Sequence, residues 1–301
     1  MKIQKRALIC LCVSAAIMLA ALVMSLCGCG INYGLDFAGG LNISYDMGAA
    51  FEQADIEAAL KNQGIQEYAI SISGENGHIV QIRIPALNGE EEIQTLQNAL
   101  EAELSAKYTA MDTQNATASY VGPVAGKVLV KNAILSVVLA AVLMLVYIAL
   151  RFDLSSGLAA VIGLLHDVLI MLSSMVLLRS FVQMNSSFIA AMLTIVGYSI
   201  NNTIVIFDRI RENKNKADYA DADRSVLAAV SVKECLGRTI NTTLTTLATI
   251  VTLYLLGVNA IREFSLPIIV GILAGVYSAN LINGYVWAAL EEKLSRKAAK
   301  A

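Results

Sequence analysis

The chain has 301 residues, of which 56% are hydrophobic and 15% charged, and a formal net charge of −2; an ordinary soluble domain has roughly 45–50% and 25%. With a mean hydropathy of +0.62, the composition excludes a soluble enzyme, a disordered or collagen-like chain and a small disulfide scaffold. What is left is a membrane protein.

Six segments, 7 to 28, 132 to 150, 156 to 178, 188 to 207, 239 to 257 and 265 to 290, hold nearly all the unbroken apolar sequence and only one formally charged residue, Asp167. Each is close to the ~20 residues that cross a ~30 Å hydrocarbon core. The expected fold class is therefore a polytopic α-helical membrane protein with six transmembrane helices. An even number of spans puts both termini on one side. That side carries Lys2, Lys5, Arg6, Arg151, the basic residues from Arg209 to Arg238, and Lys293, Arg296, Lys297 and Lys300, while the short loops opposite hold only Arg179 and Arg262. By the positive-inside rule both termini are cytoplasmic.

Residues 1–28 form the cytoplasmic N-terminus and first helix. Their apolar run exceeds the usual ~7–15-residue core of a signal peptide, which favours a retained anchor. The box Leu26-Cys27-Gly28-Cys29 leaves a lipidated Cys29 as the alternative. Cys27 and Cys29 have no histidine or carboxylate nearby at metal-ligand spacing, so no metal is expected.

Residues 29–131 are a soluble insert with 13 acidic and 5 basic side chains, placed outside the cytoplasm. The run Gly34-Leu35-Asp36-Phe37-Ala38-Gly39-Gly40 opens it, and glycines at that density read as a tight turn. Alternation predicts strands at 41–46, 67–73, 78–84 and 116–121, and helical spacing predicts helices at 51–62 and 90–107. The order β-α-β-β-α-β is the ferredoxin-like arrangement, which occurs with many functions. The acidic surface reads as a solvated face, or else as a contact for basic or partly unfolded chains.

Residues 132–290 make up the remaining five spans. The third carries His166-Asp167. A carboxylate near a helix centre costs about 2.5–3.5 kcal/mol, so Asp167 is expected to face the bundle interior and be paired or neutral; a relay, a gate and a helix-packing hydrogen bond all remain open. In the fourth span Gly197, Asn201 and Ile204 fall on one face with Tyr198 and Asn202 beside them, and Thr203 follows. Small residues and amides predict a polar buried interface there. Asp208 and Arg209 mark the cytoplasmic boundary and start a loop, 208–238, whose 7 basic and 6 acidic residues leave no footprint for nucleic acid. Arg238 opens the fifth span, where Thr239, Thr242, Thr243, Thr246 and Thr249 are expected on one face, beside Asn241. Residues 291–301 read as a cytoplasmic tail.

No nucleotide loop or His-Glu-x-x-His motif is present, and the two histidines, His78 and His166, are far apart in topology, so neither an enzyme nor a cofactor is expected. Any driving force is ionic; one charge crossing the field gains about 2.3 kcal/mol per 100 mV.

These residues resemble the SecF family of the Sec protein-export machinery, within the resistance-nodulation-division superfamily. The likeness runs through Gly34 to Gly40, Val121-Gly122-Pro123, Tyr147 to Phe152, His166-Asp167, Gly197 to Asn213, Arg238-Thr239 and Gly275-Val276-Tyr277-Ser278. It implies a subunit of the plasma membrane that pairs with a SecD-like subunit and a SecYEG-type translocon and uses the proton motive force late in the export of a polypeptide. It also implies a proton-linked aspartate in the fourth helix and a proton-linked arginine in the fifth. Arg238 matches the arginine, but the family pattern Asn-Asp-Thr reads Asn201-Asn202-Thr203 here, and an amide cannot become negative. The alternatives are a half-transporter for small hydrophobic molecules and an assembly scaffold with no proton coupling of its own.

Overall fold

The protein is described by a computed structural model over residues 2–73, 77–85, 87, 89–219 and 222–298. It divides into two compact units, one of Met1–Asn32 with Ala133–Ala301 and one of Tyr33–Asn132.

In the smaller unit, the glycine-rich opening is a four-residue helix, α2 (Leu35–Ala38), the first helix α1 (Lys2–Leu26) belonging to the other unit. Gly39 and Gly40 follow with φ of 72° and 121°. A side chain at Gly40 would put its Cβ 2.3 Å from the Ile84 carbonyl oxygen, so only glycine lets the chain enter β1 (Gly40–Asp46) at that angle. Then come α3 (Gln53–Asn62), β2 (Ala69–Ser73), β3 (Ile79–Ile84), α4 (Glu90–Lys107) and β4 (Asp112–Val121). The sheet order is β2-β3-β1-β4, with every neighbouring pair antiparallel. Period two puts Leu41, Ile43 and Tyr45 of β1 and Val80, Ile82 and Ile84 of β3 in one core with Ile56 and Leu60 of α3 and Leu96 and Leu100 of α4. The opposite sheet face carries polar pairs, Asn42 with Arg83 and Ser44 with Gln81. At the α3–α4 contact Lys107 pairs with Asp55 at 2.5 Å, and the Tyr108 hydroxyl donates to the same carboxylate.

The larger unit is helical. After α1 come α5 (Pro123–Arg151), α6 (Leu154–Leu177), α7 (Ser186–Lys214), α8 (Arg224–Leu256), α9 (Asn259–Ser278) and α10 (Gly284–Ala298). Among the described residues, six helical stretches are long and apolar enough to cross a membrane, α9 and α10 together forming the last. The helices extend past the apolar runs. α7 has 29 residues and α8 has 33, about 44 Å and 50 Å at ~1.5 Å per residue. The expected loop 208–238 is therefore corrected to two helix ends and a short connection with a 3₁₀ turn at Ala217–Tyr219. Charged residues on a helix that leaves the membrane look like a loop in sequence. The last span is likewise broken by a π turn, Ala279–Asn283, and the expected tail is helical to Ala298.

Two apolar clusters stack inside this unit. One joins Met171, Met175, Phe188, Met192, Ile195 and Ile272, the other Ala159, Ile200, Phe207, Leu227, Trp287 and neighbours. Along α6, α7 and α9 the residues between the clusters are polar. α5 contributes little to either cluster and leaves Leu135, Leu139 and Leu143 exposed, a surface suited to lipid.

Candidate functional site

The polar layer between the clusters is built from residues one or two helical turns apart on facing helices. Asp167 of α6 is fully buried. Its Oδ1 lies 2.9 Å from His166 Nδ1, and its Oδ2 accepts from the Ser199 hydroxyl of α7 and from Ser278 Oγ of α9 at 2.9 Å. His166 Nε2 is 2.7 Å from Ser14 Oγ on α1. Four helices thus meet on one carboxylate and its neighbouring imidazole. Close approach makes this possible: a Cβ at Gly275 would lie 3.2 Å from the Ser199 Cβ, so a larger residue would push α9 away from α7. The sequence expectation that Asp167 faces inward and is paired agrees with this geometry, and the cost of an unpaired carboxylate at this depth is the physical reason.

The rest of the layer is uncharged. Asn283 of the π turn fills a notch over Gly163 and donates from Nδ2 to Thr203 Oγ1 at 2.9 Å. Thr239 Oγ1 donates to Asn280 Oδ1 at 3.0 Å. Asn202 and Thr243 are buried, and among the described residues Asn202 Nδ2, Thr243 Oγ1 and Asn283 Oδ1 have no hydrogen-bond partner. Such orphans are rare in native interiors and mark a place where polarity has been kept for a reason other than packing.

Two expectations need correction. Gly197 and Asn201 do not line a buried interface: both are exposed, and the inward face of α7 is Ser199, Asn202 and Thr203. The threonines of α8 also do not act together. Thr239 and Thr243 point inward, Tyr198 donates to Thr246 at 3.2 Å, and Thr242, Thr245 and Thr249 are exposed with their hydroxyls turned back onto their own helix. A pattern of small and hydroxylated residues shows that a face approaches protein, but it does not say whether that protein is the same chain. Arg238 is exposed and makes no ion pair among the described residues.

A second polar cluster closes the ends of α7 and α8. Asp208 pairs with Arg151 at 3.1 Å, and Arg209 pairs with Glu234 at 2.6 Å and Glu212 at 2.5 Å. Asn213, fully buried, donates to Ser231 and Glu234 at 3.0 Å and 2.7 Å. Glu291 of α10 accepts from Ser155 at 2.6 Å and pairs with Lys214 at 2.7 Å. Sequence reasoning singled out Asp208 and Arg209 but missed Glu234 and Glu291. It also missed Ser14, Asn280 and Asn283, whose signal was a polar side chain inside an apolar run.

The profile of the family described as "Protein export membrane protein SecD/SecF, C-terminal" matches residues 101–293. The chain is 32% identical over 280 residues to the protein translocase subunit SecF of Alicyclobacillus acidocaldarius, covering 90% of this chain and 87% of that one. The chain belongs to the SecF family. The SecF of Thermodesulfovibrio yellowstonii is also 32% identical, over 83% of this chain and 81% of its own length. A solved structure of SecDF from Thermus thermophilus, titled as a translocon-associated membrane protein, superposes over 94% of this chain with a TM-score of 0.76 and 32% identity. The chain spans 38% of that SecDF chain and 35% of the SecDF of Bacillus subtilis. As a SecF-family protein it is a multi-pass helical membrane protein with an accessory role in the Sec translocon. Its buried layer places Asn202 where the resemblance implies a carboxylate, and the one carboxylate within the layer is Asp167.

Proposed function

We propose that this SecF-family chain pairs with a SecD-type subunit beside a SecYEG-type translocon and promotes the late stage of polypeptide export, driven by the proton motive force. In this reading both termini are cytoplasmic, and the ferredoxin-like domain at 29–131, between the first and second membrane helices, is extracytoplasmic and moves with the exported chain. The observation that carries the reading is the SecDF likeness, which covers 94% of the chain and so includes the β-containing unit as well as the bundle.

The partner docks on the outward face of α7 and α8. Exposed Asn201, Arg238 and Asn241 are costly against lipid, so a protein surface covers them. Gly34, Asp36, Gly39 and Gly40 shape the chain's entrance to the outer domain, and Gly197, Tyr198, Asp208 and Arg209 shape α7. Asn202, Arg238, Asp167 and His166 are the proton-coupling or gating candidates, with Asn201, Thr203, Thr239 and Thr243 as polar contacts around them.

Because Asn202 carries no exchangeable charge, the main proton path runs on carboxylates of the SecD-type partner, with Asp167 the local candidate. A second reading, a scaffold with no coupling of its own, is favoured by Asn202 alone. Affinity purification of the tagged chain tests the assembly: recovery with a SecD-type subunit and translocon components is expected, and stable recovery without either refutes it. Proton-dependent export that persists unchanged in Asn202→Asp but is lost when the partner's carboxylates are replaced supports the placement of the path.

A further inference from the structure

Asp167 and His166 are the buried titratable groups of the polar layer, and their hydrogen bonds leave no ambiguity about which helices feel their charge. We propose that the pair is an exchangeable-proton site, loaded through Ser14 from the cleft between α1, α6 and α9. The proposal rests on the reading above only for its physiological use. Its physical basis lies in the larger unit itself.

Within the described residues no lysine or arginine faces the pair. α9 brings Tyr277, whose ring stacks on His166 with centroids 6.2 Å apart and planes 21° apart. Its hydroxyl donates to the Cys10 carbonyl of α1 at 2.8 Å, and Cys10 is the other titratable group on that side. α7 presents Ser199 and Asn202, and the π turn presents Asn283; none of these titrates in the accessible range. With one shared proton the pair is net neutral, whether written as aspartate with imidazolium or as carboxylic acid with imidazole. With no proton beyond the neutral imidazole's own it is −1. A bilayer interior disfavours a net charge, so proton uptake by the pair is coupled rather than the property of either residue.

The hydrogen bonds supply a route. A cleft of about 280 Å³ is lined by Val13, Ser14, Ile17, His166, Ala274 and Tyr277, and Ser14 stands between it and Nε2. In the −1 state His166 holds its proton on Nδ1, donates it to Asp167 and accepts at Nε2 from Ser14. A proton arriving at Ser14 Oγ releases the serine's own proton to Nε2, and the Nδ1 proton moves to Asp167 Oδ1. One proton has entered, His166 has exchanged tautomers, the carboxylate has become a carboxylic acid, and the pair is neutral.

The outward connection is also in place. Ser278 Oγ lies within reach of two acceptors, Asp167 Oδ2 at 2.9 Å and its own helix's Gly275 carbonyl at 3.2 Å. A hydroxyl carries one proton, so it donates to the carboxylate when Asp167 is charged and can turn to the backbone when the charge is gone. Ser14 reverses from donor to acceptor when Nε2 gains its proton. Loading therefore changes contacts on α1 and α9 without moving a helix first.

Infrared difference spectroscopy on the purified full chain in lipid nanodiscs, scanned between about pH 4 and 9, tests this. The proposal requires a protonated-carboxyl C=O band that titrates, is absent from Asp167→Asn, and shifts its midpoint by about one pH unit or more in His166→Gln. Should Asp167→Asn fail to fold, ¹⁵N-histidine NMR of His78→Gln, which leaves His166 as the only histidine, reads the tautomer exchange with the site intact. A constant His166 tautomer with no titrating Asp167 band over that range overturns the proposal. A chain that titrates here but purifies without SecD-type and translocon partners overturns the function proposed above and leaves this site standing. A chain that assembles but does not titrate does the reverse.

Discussion

The notch over Gly163 gives the most demanding test of how the polar layer is held. In Gly163→Ala the new Cβ would lie 2.3 Å from both Nδ2 and Oδ1 of Asn283 and 2.6 Å from Cγ, where comfortable contact needs about 3.5–4.0 Å. The amide must retreat by more than ~1 Å, yet Asn283 is only 1% exposed. Retreat breaks its bond to Thr203. Overpacking a tight interior costs about 1–3 kcal/mol, and an interhelical hydrogen bond in a membrane protein about 0.6–1.7, so the total is about 2–4 kcal/mol. Reversible unfolding of the purified chain in mixed micelles, followed by circular dichroism, measures it. In an Asn283→Ala background the notch is already empty, and Gly163→Ala should cost less than ~1 kcal/mol. Equal costs in the two backgrounds would refute the reasoning.

Three further outcomes are expected. Gly40→Ala combines a φ of 121° with a Cβ 2.3 Å from a backbone oxygen; it should destabilise the β-containing unit by about 2 kcal/mol or more, seen as faster amide exchange in β1 and β3. Asn213→Ala leaves Ser231, Glu234 and Lys216 without their shared partner and should cost about 1–3 kcal/mol, measured by the same micellar unfolding. The Asp55 carboxyl is held below its ordinary range by hydrogen bonds from Lys107 first and then Tyr108. Its stabilisation is therefore present above the unfolded carboxylate's pKa and lost as pH falls through the lower folded value. Asp55→Asn should speed amide exchange in α3 and α4 at neutral pH and show a smaller acid-induced rise than the native chain.

The elements most legible in the sequence were those where one constraint dominates. Alternation in β1 and β3 has a single cause, one face buried and the other open, and its bounds in sequence and structure differ by a residue or two. Asp167 was legible because an unpaired charge among lipids is so costly that only an inward, bonded position is tolerable. Asn201 and Gly197 were not, because packing signals look the same for contacts within a chain and between chains. The charged ends of α7 and α8 look like a loop when hydrophobicity is the only guide, although Asn213, Glu234 and Glu291 make them an ordered part of the bundle. The hub at Ser14, Ser199 and Ser278 joins residues up to 264 positions apart, from Ser14 to Ser278; a serine in an apolar run gives no sign of which carboxylate it serves.

The π turn at Ala279–Asn283 has a bearing on the chain's tolerance of change in length. An α-helix advances ~100° per residue, and the wider turn absorbs one residue more than an α-helical path of the same rise. Everything beyond it is therefore rotated out of phase with α9. Deleting one residue there would let the span run as a continuous α-helix, and α10 would swing by ~100°. Trp287 would leave its place in the core, and Glu291 would turn away from Ser155 and Lys214. A point substitution in this span changes a contact, whereas a single-residue deletion changes which face of the last helix the bundle meets. Insertions and deletions, more than substitutions, should therefore be excluded from this stretch of the membrane domain.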